Sequence, residues 1–129
     1  MSQFKVNVEC PTFLRDLKQA KKKHPQITKE LIAVIEKLRD DPESHGYPIP
    51  NYARSLWGKR VGIPGQTGKS GGYRLLYFVD FEKRIIVPVS LYFKGNQEML
   101  SAEQIEQIMR QLAKHLESEA SQQPPSQAN

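Results

Sequence analysis

Apolar and polar positions form three successive periodic segments along the N-terminal third of the chain. Between Phe4 and Val8 they alternate, which is the period of a half-buried strand. Apolar residues then recur every three or four positions in two segments. The first begins at Pro11 and ends in a run of lysines before Pro25. The second begins at Ile27 and ends before Pro42. This spacing predicts two amphipathic helices, each terminated by a proline.

The period returns to two in the second half of the chain. Segments 56–61, 73–79 and 85–93 alternate and are rich in Val, Ile, Phe and Tyr, which predicts three strands. The short polar segment 80–83 indicates a hairpin between the second and third, so these strands should be antiparallel neighbours. Ser101, with a glutamine three positions later, is typical of a capping box that opens a C-terminal helix.

These elements predict an α+β fold: a small antiparallel β-sheet with two N-terminal helices and one C-terminal helix. The helices are expected on one face of the sheet. Segment 43–52 is predicted to be loop, since prolines and glycine punctuate it. The predicted domain spans residues 1–117. Residues 118–129 are too polar to pack and are expected to form a disordered tail.

Length and composition exclude several classes of protein. A chain of 129 residues with 38% hydrophobic residues suits one domain with its own core. It contains no apolar run long enough to span a membrane and does not begin like a signal peptide. The single cysteine, Cys10, cannot form an internal disulfide, which favours a cytoplasmic location.

The net charge of +5 is concentrated in one part of the chain. Segment 53–79 carries no acidic residue. Because like charges repel when they are crowded together, this imbalance indicates an anionic partner. The basic residues of the segment are Arg54, Lys59, Arg60, Lys69 and Arg74.

Two other kinds of site are not favoured. Gly62–Ser70 resembles a phosphate-binding P-loop, but Ile63 stands where a glycine is required and a strand follows instead of a helix. A hairpin loop with Lys69 at its tip explains this segment better. Neither a metal site nor a cofactor is expected, because the histidines and the cysteine show no ligand spacing.

The helices can cover only one face of the sheet. If the other face is open, strand alternation allows four residues to converge there: Arg60, Arg74, Tyr92 and Lys94. Cations interleaved with aromatic rings suit single-stranded RNA, because the charges bind phosphates and the rings stack on unpaired bases. A second interpretation remains open at this point: Arg74 and Lys94 extend over the sheet only to bring their charges to solvent.

Three strings of residues resemble the RelE/ParE superfamily of type II toxin–antitoxin toxins, and are most similar to its RelE and HigB-like branch. They are Trp57–Val61, Gly68–Arg74 and Leu91–Lys94. The similarity extends over roughly Phe4–Leu116, and the segment Gly-Lys-Ser-Gly-Gly-Tyr-Arg is its most distinctive part.

The resemblance implies a small sheet with flanking helices, a cognate antitoxin as partner, and inhibition of growth. RelE-like members cut mRNA on the ribosome, whereas ParE-like members poison DNA gyrase. The expected activity is a metal-independent endoribonuclease (an mRNA interferase) that acts on the ribosome and mRNA in the cytoplasm. A ParE-like gyrase inhibitor and a catalytically weak antitoxin-binding module remain alternatives.

The resemblance also implies roles for particular residues. Arg74 matches the arginine after Gly-Tyr that stabilises the phosphate. Three positions depart from the family pattern: Gly58 and Gly95 replace basic residues, and no tyrosine follows Phe93, so that Tyr92 or Tyr73 is expected to substitute. The expected catalytic residues are Arg74, Arg60, Lys59, Lys94 and Tyr92, and the expected RNA-binding residues are Arg54, Trp57, Lys69 and Tyr73.

Overall fold

The structure of the chain is a computed structural model that describes residues 3–63, 72–95 and 99–121. The segment that contains Lys69 lies outside these ranges, as do the last residues of the predicted tail. Within the described residues, three helices and five strands follow one another along the chain. They are β1 (Lys5–Val6), α1 (Pro11–Lys23), α2 (Ile27–Asp40), β2 (Tyr47–Pro48), β3 (Leu56–Val61), β4 (Tyr73–Asp80), β5 (Ile85–Phe93) and α3 (Ala102–Ser121).

The helices begin and end where the local sequence favours it. Pro11 occupies the first turn of α1, where its missing N–H costs nothing, and three lysines in the last turn suit the negative end of the helix dipole. The predicted capping box opens α3, with reciprocal bonds between Ser101 and Gln104 at 3.1 and 2.8 Å. This helix continues to Ser121, past the predicted start of the tail at Ser118. No helix in the described ranges is long and apolar enough to cross a membrane.

The five strands form one mixed sheet in the order β1-β5-β4-β3-β2. The predicted antiparallel pairing of β3, β4 and β5 is confirmed. The prediction of a wholly antiparallel sheet is wrong, because β1 runs parallel to β5. A hairpin fixes the relative direction of two strands, whereas β1 reaches the sheet edge through two intervening helices. The predicted loop 43–52 also contains the short strand β2, which pairs with β3.

A bulge in β5 changes which side chains share a face. Leu76 pairs with Ser90 and Tyr77 pairs with Pro88, so Val89 has no partner in β4. Val87 and Leu91 therefore point to opposite faces of the sheet, although simple alternation predicts a common face for them. Both are buried.

Helix α1 covers the edge of β5 beyond the end of β1. The Thr12 hydroxyl donates to the Val89 carbonyl oxygen at 2.6 Å. The Asp16 carboxylate accepts from the Leu91 N–H at 3.0 Å and from the Ser90 hydroxyl at 2.8 Å. Because an uncovered edge exposes unpaired backbone groups, these bonds both satisfy β5 and fix its position against α1.

Both faces of the central strands are covered. All residues from Tyr73 to Tyr77 in β4 are buried, and successive side chains of a strand point to opposite faces. The expectation of helices on one face and an open second face is therefore wrong for the middle of the sheet. A cleft of about 690 Å³ beside Ser90 and Tyr92 is lined by residues of both α1 and α3.

The hydroxyl of Tyr77 joins the sheet to the segment after α2. It is fully buried and donates to the Pro42 carbonyl oxygen at 2.8 Å. Burial raises the pKa of Tyr77, and the neighbouring Tyr47 and Asp41 raise it further. In the unfolded chain this phenol loses its proton from about pH 10 upward, before the folded protein does. Folding is therefore weakened as the pH rises through that range.

We expect Tyr77→Phe to lower the free energy of unfolding by about 1 kcal/mol at neutral pH, because one buried hydrogen bond is lost. The variant should also lose less stability above about pH 10 than the parent protein. A smaller decline remains, since burial also raises the pKa values of Tyr73 and Tyr92. Urea unfolding at neutral and alkaline pH measures both effects. An identical alkaline decline in the two proteins would contradict the assignment.

Candidate anion-binding site

Three side chains from adjacent strands form one row across the sheet. Arg60 of β3 pairs with Arg74 of β4, and Arg74 pairs with Tyr92 of β5. Residues paired across strands point to the same face, so the two guanidinium groups and the phenol lie together. The register brings together three of the four residues that were predicted to share a face, whereas Lys94 follows the end of β5 and has no partner in β4 within this pairing. We call Arg60, Arg74 and Tyr92 the basic row.

Arg74 has the strongest requirement for a ligand in this row. Only 6% of its surface is exposed, and its Nη1 has no hydrogen-bond partner among the described residues. Arg60, which is exposed, stands directly opposite and adds like-charge repulsion. A buried charge is costly unless a counter-charge or hydrogen bonds compensate it. A guanidinium held this way is suited to bind an oxyanion such as a phosphate with two bonds.

Tyr92 contributes a protonated hydroxyl to the row. It is half-buried, and this burial raises the pKa of Tyr92; Tyr47 raises it further, while Arg74 lowers it. The phenol therefore keeps its proton at neutral pH and is able to donate a hydrogen bond. Tyr92 also lines the cleft between α1 and α3, so there is space beside it for a bound group.

Tyr47 joins this group, although no sequence pattern pointed to it. Tyr47 of β2 pairs with Gly58 of β3, and a Cβ atom built on Gly58 would lie 2.6 Å from the Tyr47 ring. Gly58 is therefore glycine because the ring lies against its backbone. The available signal was Gly58 itself, since a glycine inside a strand often marks the close approach of another group.

An aromatic cluster occupies the space beside Gly95, the second departure from the family pattern. A Cβ atom on Gly95 would collide with the Phe93 ring. That ring stacks on His24 with centroids 5.5 Å apart, and the Tyr73 hydroxyl lies 3.1 Å from His24 Nδ1. In the chain, Lys94 lies between Phe93 and Gly95. Its N–H donates to the Gly72 carbonyl oxygen at 3.1 Å, which holds Lys94 beside the start of β4.

Two predicted RNA-binding aromatics lie in the core. Trp57 is 1% exposed, and its Nε1 donates to the Arg54 carbonyl oxygen at 2.7 Å. Tyr73 is buried against His24 and Phe93. Neither ring presents a face on which a base can stack, because sheet packing requires the same apolar surface. The structure therefore contradicts the expected contacts of Trp57 and Tyr73 with bases.

Two of the predicted cations, Arg54 and Lys59, are not part of the basic row. Arg54 precedes β3, forms an ion pair with Glu43 at 2.6 Å and covers the Trp57 ring. Lys59 pairs with Leu75 and so points to the opposite face from Arg74. The position of Lys69 falls outside the described residues.

Comparison with solved structures places this arrangement in a known fold. No protein-family model and no curated protein matches the chain. The structure of the toxin–antitoxin complex RelBE2 from Mycobacterium tuberculosis is similar, with a TM-score of 0.51 and 27% identity over 72% of this chain and 93% of the other. The fold of this chain is RelE-like. A mutant of the E. coli toxin RelE in the free state gives a TM-score of 0.49 and 21% identity over 76% of this chain and 90% of that one.

The RelE-like fold agrees with the α+β class and the element order predicted from the sequence. Within this RelE-like chain, β3, β4 and β5 carry the basic row, so the candidate site lies on the predicted strands. The two glycine departures are explained by rings that fill the space at Gly58 and Gly95.

We expect Arg74→Met to raise the free energy of unfolding by roughly 1–3 kcal/mol, the cost of one buried unpaired polar group. Methionine keeps the buried volume and removes the charge that lacks a partner. Thermal and urea unfolding measure the change, and Arg60→Met is the matched control. Because Arg60 is exposed, its variant should differ from the parent by about 0.5 kcal/mol or less. A destabilised Arg74→Met protein would mean that the guanidinium supports the fold.

Proposed function

We propose that this chain is the toxin of a type II toxin–antitoxin system and cleaves mRNA on the ribosome, which inhibits translation. The observation that carries the proposal is the basic row, in which buried Arg74 has an Nη1 without a partner and stands opposite Arg60. Such a pair matches a phosphodiester, whose two non-bridging oxygens accept hydrogen bonds. The similarity to a toxin–antitoxin complex supports the toxin part of this proposal.

The proposed reaction is attack by the RNA 2′-oxygen on the adjacent phosphorus, with cleavage of the bond from phosphorus to the 5′-oxygen. Arg74 and Arg60 bind the non-bridging oxygens and stabilise the charge that increases in the transition state. Tyr92 carries a proton at neutral pH and donates it to the departing 5′-oxygen. The proton of the 2′-hydroxyl passes to solvent. Lys94, two positions after Tyr92, remains the further predicted cation of the site, because Lys59 points to the other face.

The proposed partner is an antitoxin with an acidic or amphipathic segment. An acidic segment neutralises the exposed charge of Arg60 when toxicity must be prevented. Helix α1 presents a second basic surface, where Leu14 is 46% exposed one turn before Lys18. An amphipathic partner covers both the apolar and the charged parts of such a surface.

Expression of the parent chain alone is expected to arrest growth and to produce cuts within translated mRNAs. Arg74→Met should remove both effects, with cleavage reduced at least 100-fold, the order of magnitude expected for losing one transition-state donor. Arg110→Met is the matched control. Arg110 is an exposed arginine of α3 that pairs with Glu106, so this variant should behave like the parent.

Growth curves and primer-extension mapping of cellular transcripts provide the readouts. Circular dichroism verifies that each variant is folded. Intact transcripts together with a DNA-damage response would contradict mRNA cleavage and favour a gyrase inhibitor. Normal growth with tight binding of an antitoxin would favour a binding module without activity.

A further inference from the structure

Tyr47 has a position that packing of the core does not explain. Its ring lies on the backbone of Gly58, where a built Cβ atom would come within 2.6 Å of two ring carbons and 2.8 Å of the hydroxyl oxygen. That Cβ would point to the same face as Arg60, two residues along β3. The Tyr47 ring therefore lies on the face of the basic row.

This ring is also accessible, unlike the neighbouring aromatics. Tyr47 is 43% exposed, whereas Trp57 and Tyr73 are buried. In the described part of the chain, Phe81 is the other exposed aromatic residue, and it lies in the turn at the far end of β4. Water thus reaches a ring that is held against β3, on the face that carries Arg60 and Arg74.

The interaction between Tyr47 and the basic row is electrostatic as well as spatial. Burial raises the pKa of Tyr92, and Tyr47 raises it further, whereas Arg74 lowers it. Tyr47 and Arg74 are therefore both close enough to Tyr92 to act on its hydroxyl. The register places the Tyr47 ring and the Arg74 guanidinium on the same face of the sheet.

We propose that Tyr47 is an RNA-contacting residue whose ring stacks on an unpaired base next to the phosphate bound by Arg74. The proposal rests on the proposed function, since it assigns a specific contact within that site. Stacking requires an exposed, immobilised ring beside a backbone-binding cation, and Tyr47 with Arg74 meets this requirement. The hydroxyl of Tyr47 has no part in the contact.

The test is single-turnover cleavage of mRNA on programmed ribosomes at increasing toxin concentration. The mRNA carries 2-aminopurine beside the cleaved bond, because the fluorescence of this base changes when it stacks. Tyr47→Phe keeps a flat ring, whereas Tyr47→Leu fills a similar space without one. Phe81→Ala removes the other exposed ring and is the control for general effects on stability, which thermal unfolding measures in every variant.

Tyr47→Leu is expected to raise the half-saturating toxin concentration about 5- to 150-fold, the range for losing one base–aromatic stack, and to abolish the fluorescence change. Tyr47→Phe and Phe81→Ala should stay within about twofold of the parent. If Tyr47→Leu cleaves as the parent does, the stacking role is wrong and the proposed function stands. If Tyr47→Phe is as impaired as Tyr47→Leu, the hydroxyl is the acting group and stacking is again wrong. If the parent cuts no ribosome-bound mRNA, both proposals fail.

Discussion

The antiparallel register of β3, β4 and β5 is the constraint on which the candidate site depends. It places Arg60, Arg74 and Tyr92 in one row across the sheet. A shift of one residue in either pairing would place Arg74 and its cross-strand partner on opposite faces. Helix α1 holds the outer side of β5, since Thr12 and Asp16 bond to its backbone beyond the end of β1. The packing of α1 thus contributes to the position of β5, the strand that carries Tyr92.

The site stores an electrostatic cost in the folded protein. Arg74 is buried with an unpaired nitrogen, and its cross-strand partner carries the same charge. Replacement of Arg74 by an apolar residue would relieve that cost, so stability alone does not account for this arginine. An anion between the two guanidinium groups removes the repulsion and supplies the missing acceptor. The energetics of the fold and the proposed chemistry therefore favour the same ligand.

Two glycines show how aromatic packing changes a familiar basic pattern. Gly58 accommodates the ring of Tyr47, and Gly95 accommodates the ring of Phe93. The Phe93 ring belongs to a buried cluster with His24 and Tyr73, whereas the Tyr47 ring remains exposed. A glycine against an aromatic ring thus occurs twice. At Gly95 the ring is part of the core, and at Gly58 the ring lies next to the candidate site.

The sequence by itself determined the α+β class, the positions of the predicted helices and of β3–β5, and the common face of Arg60 and Arg74. These follow from residue periodicity and capping, which act over short stretches of chain. Tertiary structure decided the parallel pairing of β1, the bulge at Val89, the burial of Trp57 and Tyr73, and the position of Tyr47. Each of these depends on segments far apart in sequence, and no local pattern records which segments meet. The sequence therefore predicted which strands carry the basic residues, whereas packing across the whole sheet set the neighbours of each side chain.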